Sequence, residues 1–146
     1  MTINAEMSTE QKIKQKSFTM RHEGKKNFPY DDGLGNISIG IGRNLTGIGI
    51  REDELELMFK NDVDFLWSYF CRTYPWFLEL NESRQIAIID MSFMGIKHFA
   101  SFEHLIAALA AHNYVLAATE IMHSDYGRKY TTRATDISNI ILNGEL

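Results

Sequence analysis

Two carboxylic acids and a hydroxyl stand close together near the start of the sequence: Glu23, then after eight residues Asp32, then after five more Ser38. Two acids in different settings can split a glycosidic bond. One must carry a proton to give to the leaving oxygen, and the other must be ionised to activate water or attack carbon from the far side of the sugar. A glutamate leaving a helix end into a half-buried site suits the first task, and an aspartate in an exposed turn suits the second. A hydroxyl on an adjacent strand can hold the attacking water. Spacing alone leaves a plainer reading open, in which Glu23 is a surface charge and Asp32 a turn former among nineteen acidic residues.

The elements that must position these groups follow from local pattern. Ser8 and Gln11 have the capping-box spacing, so a first helix is expected from near Thr9 to Glu23, with Gly24 as its stop. The stretch Asp31-Asp32-Gly33-Leu34-Gly35-Asn36 is turn-rich. After it, Ile37-Ser38-Ile39-Gly40-Ile41-Gly42 alternates isoleucine with small residues, as a short strand with one apolar face does, and the two together predict a hairpin. From Glu52 to Thr73, the positions Leu55, Met58, Phe59, Val63, Leu66, Tyr69 and Phe70 recur at three- and four-residue steps. That period predicts one long amphipathic helix ending before Pro75 and able to bridge two lobes.

Further helices are expected where Asn81 caps a segment carrying Ile86, Ile89 and Phe93, where Ser101 caps one carrying Leu105, Ile106 and Leu109, and from Asn113 through Met122. A loop at Ser124–Gly127 then leads to a last helix with Ile137, Ile140 and Ile141 before Gly144. No repeat or linker interrupts the chain. The fold class is therefore α+β: a small N-terminal β-hairpin lobe (about 8–50) joined by a long helix (about 51–74) to a larger helical lobe (about 75–146), within one domain.

Composition narrows the chemistry. With 146 residues, 45% of them hydrophobic and 23% charged, the chain can bury a real core. Its one cysteine, Cys71, forms no intramolecular disulfide and sits in an apolar run, as buried structural cysteines do. A net charge of −4 argues against nonspecific nucleic-acid binding, which draws on a positive field. The charge is uneven, with Lys12, Lys14, Lys16, Arg21, Lys25 and Lys26 early, and Glu52, Asp53, Glu54, Glu56, Asp62 and Asp64 on what reads as a solvated helix face. The N-terminal segment is polar and carries no secretory apolar run, so cytosolic synthesis without stable membrane association is expected. The five histidines lack an HExxH spacing, so no metal or other cofactor is expected. Gly40 and Gly42 lack the strand-then-helix context of a phosphate loop and better suit the close approach of a polysaccharide.

The runs HEG at 22–24, YDDGLGN at 30–36, SIGIG at 38–42 and LT at 45–46 resemble the opening motif of the phage-type lysozymes, glycoside hydrolase family 24. The resemblance continues through FKNDVD at 59–64, AIIDMSFMG at 87–95, FASFEHLIAAL at 99–109 and AATE at 117–120. It implies that Glu23 is the general acid, that Asp32 is the base or electrostatic partner, and that Ser38, standing where the family usually has threonine, fixes the water. It also implies inversion at the sugar carbon, with carboxyl groups roughly 6.5–9.5 Å apart rather than the ~5 Å of a retaining pair. Arg133 matches a family arginine that pairs with the catalytic glutamate. Arg43 stands in place of a common histidine, and Met94 and Gly95 follow Phe93 where the family has an amide that contacts sugar. Arg43, Phe93 and Arg133 are the candidate substrate contacts, Phe93 being equally open to a core role.

The activity implied is an N-acetylmuramidase that cleaves the β-1,4 bond between N-acetylmuramic acid and N-acetylglucosamine in bacterial peptidoglycan during host cell lysis. A monomer is expected, made in the host cytoplasm and released to the periplasm through a separate holin-type pore. Two alternatives stay open. A lytic transglycosylase would form a 1,6-anhydro sugar and dispense with Asp32. A non-catalytic glycan-binding or structural phage module would use the same surface without cleavage.

Overall fold

The computed structural model describes residues 6–146; the first five residues of the polar N-terminal segment lie outside them. The chain divides into two compact units, Met1–Glu56 and Leu57–Leu146.

The first unit opens with α1 (Thr9–Glu23). Its capping box forms as the sequence predicts: Ser8 Oγ accepts from Gln11 N at 3.1 Å, and Gln11 Oε1 accepts from Ser8 N at 2.8 Å. Gly24, at φ +73°, ends it, and none of its side chains is buried. Three antiparallel strands follow in the order β1 (Lys26–Asp31), β2 (Ile37–Gly40) and β3 (Arg43–Asn44). Tyr30 pairs with Ser38 and Asp31 with Ile37, and on the other side Ser38 pairs with Asn44. The β1–β2 hairpin was expected and β3 was not, because two residues are too few to show an alternating pattern. Beyond β3, Thr46 Oγ1 accepts from Ile37 N at 2.9 Å, which continues the ladder with a side chain.

Helix α2 (Glu52–Thr73) has the predicted bounds, beginning in the first unit and continuing into the second. Its period located the helix but not the depth of its face. Of the seven apolar positions only Leu66 and Phe70 are buried, while Leu55, Met58 and Phe59 are exposed.

In the second unit, a 3-10 turn (Pro75–Glu79) leads to α3 (Glu82–Met91) and a second 3-10 turn (Ser92–Met94). Then come α4 (Ile96–Ala100), α5 (Glu103–Ala110), α6 (Tyr114–His123), α7 (Asp125–Lys129) and α8 (Thr131–Asn143). Phe70, Phe77, Phe99, Ile88, Met91, Leu109, Ile121 and Ile141 fill its core. The Phe70 ring lies 5.1 Å from that of Phe77 and 5.0 Å from that of Phe99. Asn81 and Asn113 cap α3 and α6, and Gly144 closes α8 in the left-handed conformation, all as expected.

Three local expectations are corrected. Ser101 does not cap α5: it closes α4, and its hydroxyl donates to the His98 carbonyl at 2.6 Å. A serine can satisfy either end of a helix, and the unpredicted α4 supplied the carbonyl. Ser124–Gly127 is not a loop, for Ser124 caps α7 by accepting from Gly127 N at 3.1 Å. Gly127 lies so close to α6 that a Cβ there would fall 2.4 Å from the carbonyl oxygens of both Ile121 and Met122. Cys71 is half-buried rather than buried. Among the described residues no helix is long and apolar enough to cross a membrane.

Candidate active site

Glu23 is the last residue of α1, and it is exposed rather than half-buried. Its carboxyl lies over Gly42 in the β2–β3 turn. A Cβ on Gly42 would fall 3.0 Å from Glu23 Cγ, 3.1 Å from Cδ and 3.2 Å from Oε2. The alternation that marked β2 also placed a glycine here, and its bare backbone is what leaves room for the acid.

Asp32 opens the β1–β2 turn, its N–H donating to the Asn36 carbonyl at 3.0 Å. Its Oδ1 accepts from Leu34 N at 2.7 Å and Asn36 N at 3.1 Å, and Oδ2 accepts from Asn36 Nδ2 at 3.1 Å. The Leu34 N–H holds the Asp32 carboxyl below its ordinary value of 3.8, against an opposing effect of burial that is larger than either Asn36 bond, with the backbone and side-chain N–H groups of Asn36 adding to the lowering. Turn former and anionic base are therefore compatible roles: the bonds that build the turn also keep the group ionised. A carboxylate offers about four acceptor positions, and three are taken, so one on Oδ2 remains for a water.

Ser38 sits in β2 between Tyr30 and Asn44 and is 4% exposed. Among the described residues no protein group bonds its hydroxyl, yet the atom is not sealed in; the fully enclosed polar side-chain atom without a partner is the Tyr126 phenol. The register places these groups along the sheet. Lys26 pairs with Gly40 at the end where Gly42 and Glu23 meet, and Asp31 pairs with Ile37 at the Asp32 end. At a rise of ~3.3 Å per residue, the two ends of β2 are about 10 Å apart. Ser38 is the second residue of that strand, one position from its Asp32 end.

Arg43, in β3, is engaged within its own unit. Its Nη1 and Nη2 meet Glu54 Oε2 and Oε1 at 2.6 and 2.5 Å, and Nη1 also donates to the Gly49 carbonyl at 3.2 Å. Glu54 further accepts from Arg51 N at 2.8 Å, completing half of a capping box at the start of α2. The Arg43 guanidinium, followed by the Arg51 N–H, lowers the Glu54 carboxyl to about 2, and Glu54 in turn raises the pKa of Arg43. Sequence reading placed Glu54 on a solvated acidic face; its position as the third residue of α2 was the signal that it would turn back to the chain.

In the second unit Phe93 is 41% exposed, which sets aside the core role. It stacks on Phe59 with ring centres 6.0 Å apart and planes 15° from parallel. With Val63, Trp67, Ile86 and Ile89 these rings line an apolar groove of about 450 Å³, rimmed by Glu82, Gln85 and Asp90. Arg133, on α8, has Asp90 as its ion-pair partner: Nε and Nη2 meet the two carboxylate oxygens at 2.8 Å each. Asp90 raises the Arg133 pKa further. A polar pocket of about 460 Å³ that includes His98, Phe102, His104, Glu120, His123 and Arg128 escaped the sequence reading, because these residues are scattered over four helices and the segments joining them. Among the described residues no group of three or more His, Cys, Asp or Glu side chains could hold a metal ion.

No protein-family model matches the chain, and no curated protein matches it.

Proposed function

We propose that the protein is a peptidoglycan hydrolase of the muramidase type, cleaving the β-1,4 bond between N-acetylmuramic acid and N-acetylglucosamine with inversion. The observation that carries this reading is that Glu23 and Asp32 lie at opposite ends of one small sheet, with Ser38, whose hydroxyl has no partner among the described residues, on the strand β2 of that sheet. Glu23 gives its proton to the glycosidic oxygen as the bond to the anomeric carbon breaks. A water held by Asp32 Oδ2 and Ser38 Oγ attacks that carbon from the opposite face, and Asp32 takes the proton that the water loses. The products are a reducing sugar and a free hydroxyl, so the acid and the base exchange protonation states and are reset by solvent.

The aromatic groove and the Arg133 guanidinium suit the same polymer, since flat rings stack on pyranose faces and guanidinium groups bind carboxylate and carbonyl oxygens. The motifs at 22–46 that resemble phage-type lysozymes support the assignment and its setting. In that setting a monomer made in the cytoplasm reaches the cell wall through a pore formed by another protein.

The test is digestion of purified sacculi followed by masses of the released muropeptides. Hydrolysis adds one water per cut, whereas a transglycosylase leaves a 1,6-anhydro sugar of lower mass. Glu23→Gln, which cannot donate a proton, is expected to lower the rate at least about 100-fold with the fold intact; undiminished activity would remove the assignment. The exposure of Glu23 favours a second reading, a glycan-binding module without cleavage, which predicts sacculus binding and no released fragments.

A further inference from the structure

Arg133 and Asp90 lie 43 positions apart and meet through three hydrogen bonds. Nε donates to Oδ2 and Nη2 to Oδ1, both at 2.8 Å, and Nη2 also reaches the Asp90 carbonyl at 3.1 Å. This fork fixes the plane of the guanidinium as well as its position. The side chains are 50% and 46% exposed, and an ion pair so open to solvent adds little to stability. Stability therefore does not account for the geometry. Among the described residues nothing accepts from Nη1, so one edge of the guanidinium is pinned and the other keeps two free N–H groups. Asp90 also borders the aromatic groove that holds Phe59 and Phe93.

We infer that Asp90 is a positioning residue, which holds the Arg133 guanidinium so that Nη1 is presented to a carboxylate or carbonyl oxygen of a peptidoglycan strand lying along the groove. The inference rests on the muramidase reading for the identity of the polymer. A free arginine loses rotamer freedom when it binds; one already held in place has lost that freedom in folding, and its bond to the strand is correspondingly more favourable. The role of Asp90 is to act through Arg133.

The test measures binding of purified sacculi to the full chain carrying Glu23→Gln, so that the polymer is not consumed. Adding Asp90→Ala is expected to weaken binding about fivefold to tenfold, and adding Arg133→Ala by at least as much. The Asp90→Ala/Arg133→Ala combination should bind no worse than Arg133→Ala alone, because both changes remove one interaction. Asp90→Asn keeps an acceptor for one arm of the fork and should recover part of the loss. Melting temperatures should stay close to that of the parent, which a structural role for Asp90 would not allow. Unchanged or tighter binding by the Asp90→Ala protein, additive losses in the double variant, or no binding by the Glu23→Gln parent would each overturn the inference. Failure of the unmodified protein to release muropeptides, with the Asp90 effect on binding intact, would instead remove the cleavage reading and leave this one standing.

Discussion

Glu23 rests against Gly42: a Cβ there would meet Glu23 Cγ at 3.0 Å and Oε2 at 3.2 Å, so the glutamate side chain would have to give way by a few tenths of an ångström. Gly42 is also in the left-handed region, at φ +74°. Gly42→Ala should therefore push the carboxyl aside and strain the turn. We expect catalysis to fall by about threefold to tenfold, since the reacting group moves by less than the ~1 Å that costs about 100-fold, and stability by roughly 1–2 kcal/mol from the side chain forced into the left-handed region. Sacculus digestion and thermal unfolding measured on one preparation separate the two effects. Full activity in this variant would mean that the position of Glu23 over the turn is unimportant.

Asp32 owes its lowered pKa to the Leu34 N–H first and then to Asn36. Asn36→Ala removes the side-chain donor at 3.1 Å and leaves the two backbone donors. The Asp32 pKa should then rise toward 3.8, and the acidic limb of the kcat/KM profile should move to higher pH with it. A limb that stays in place would show that Asp32 is not the base whose ionisation the profile records.

Glu54 is held at about 2 by Arg43 and the Arg51 N–H, against an ordinary value of 4.5. A carboxyl lowered on folding stabilises the folded state above its unfolded value, and that contribution is lost as pH falls from 4.5 toward 2. Arg43→Ala should remove much of this pH dependence and destabilise the first unit near neutral pH. Unfolding midpoints followed between pH 2 and 7 by a probe in residues 9–56 would check it. Parallel curves for the two proteins would contradict the ion pair's role.

Among the described residues the enclosed Tyr126 phenol has no hydrogen-bond partner, and burial raises its pKa above 10.0. Tyr126→Phe deletes the orphaned hydroxyl while keeping the ring that packs 5.4 Å from Tyr130. The variant should be more stable by about 1 kcal/mol, a shift of a few degrees in melting temperature. A loss of stability would reveal a bond that the hydroxyl makes.

Features whose cause lies within a few residues were legible in advance. The Ser8–Gln11 box, the Gly24 and Gly144 stops, the Asn81 and Asn113 caps, the Asp32 turn with its strand and the bounds of α2 all follow from chemistry acting over two to four positions. The same locality explains the errors. Ser101 could serve the helix before it or after it, and nothing nearby in sequence decided between them.

The sequence by itself determined the longer helices α1, α2, α3, α5, α6 and α8, the hairpin and the acid–acid–hydroxyl order along the chain, because propensity, capping and turn chemistry are short-range forces. Only the tertiary structure decided that Glu23 is exposed over Gly42, that Arg43 belongs to Glu54, that Phe93 stacks on Phe59 outside the core, and that Asp90 holds Arg133. Each of these contacts joins residues 11 to 43 positions apart in the chain. Which side chains meet across such distances depends on how whole elements pack, a balance of burial and desolvation summed over many residues that no single stretch of sequence records.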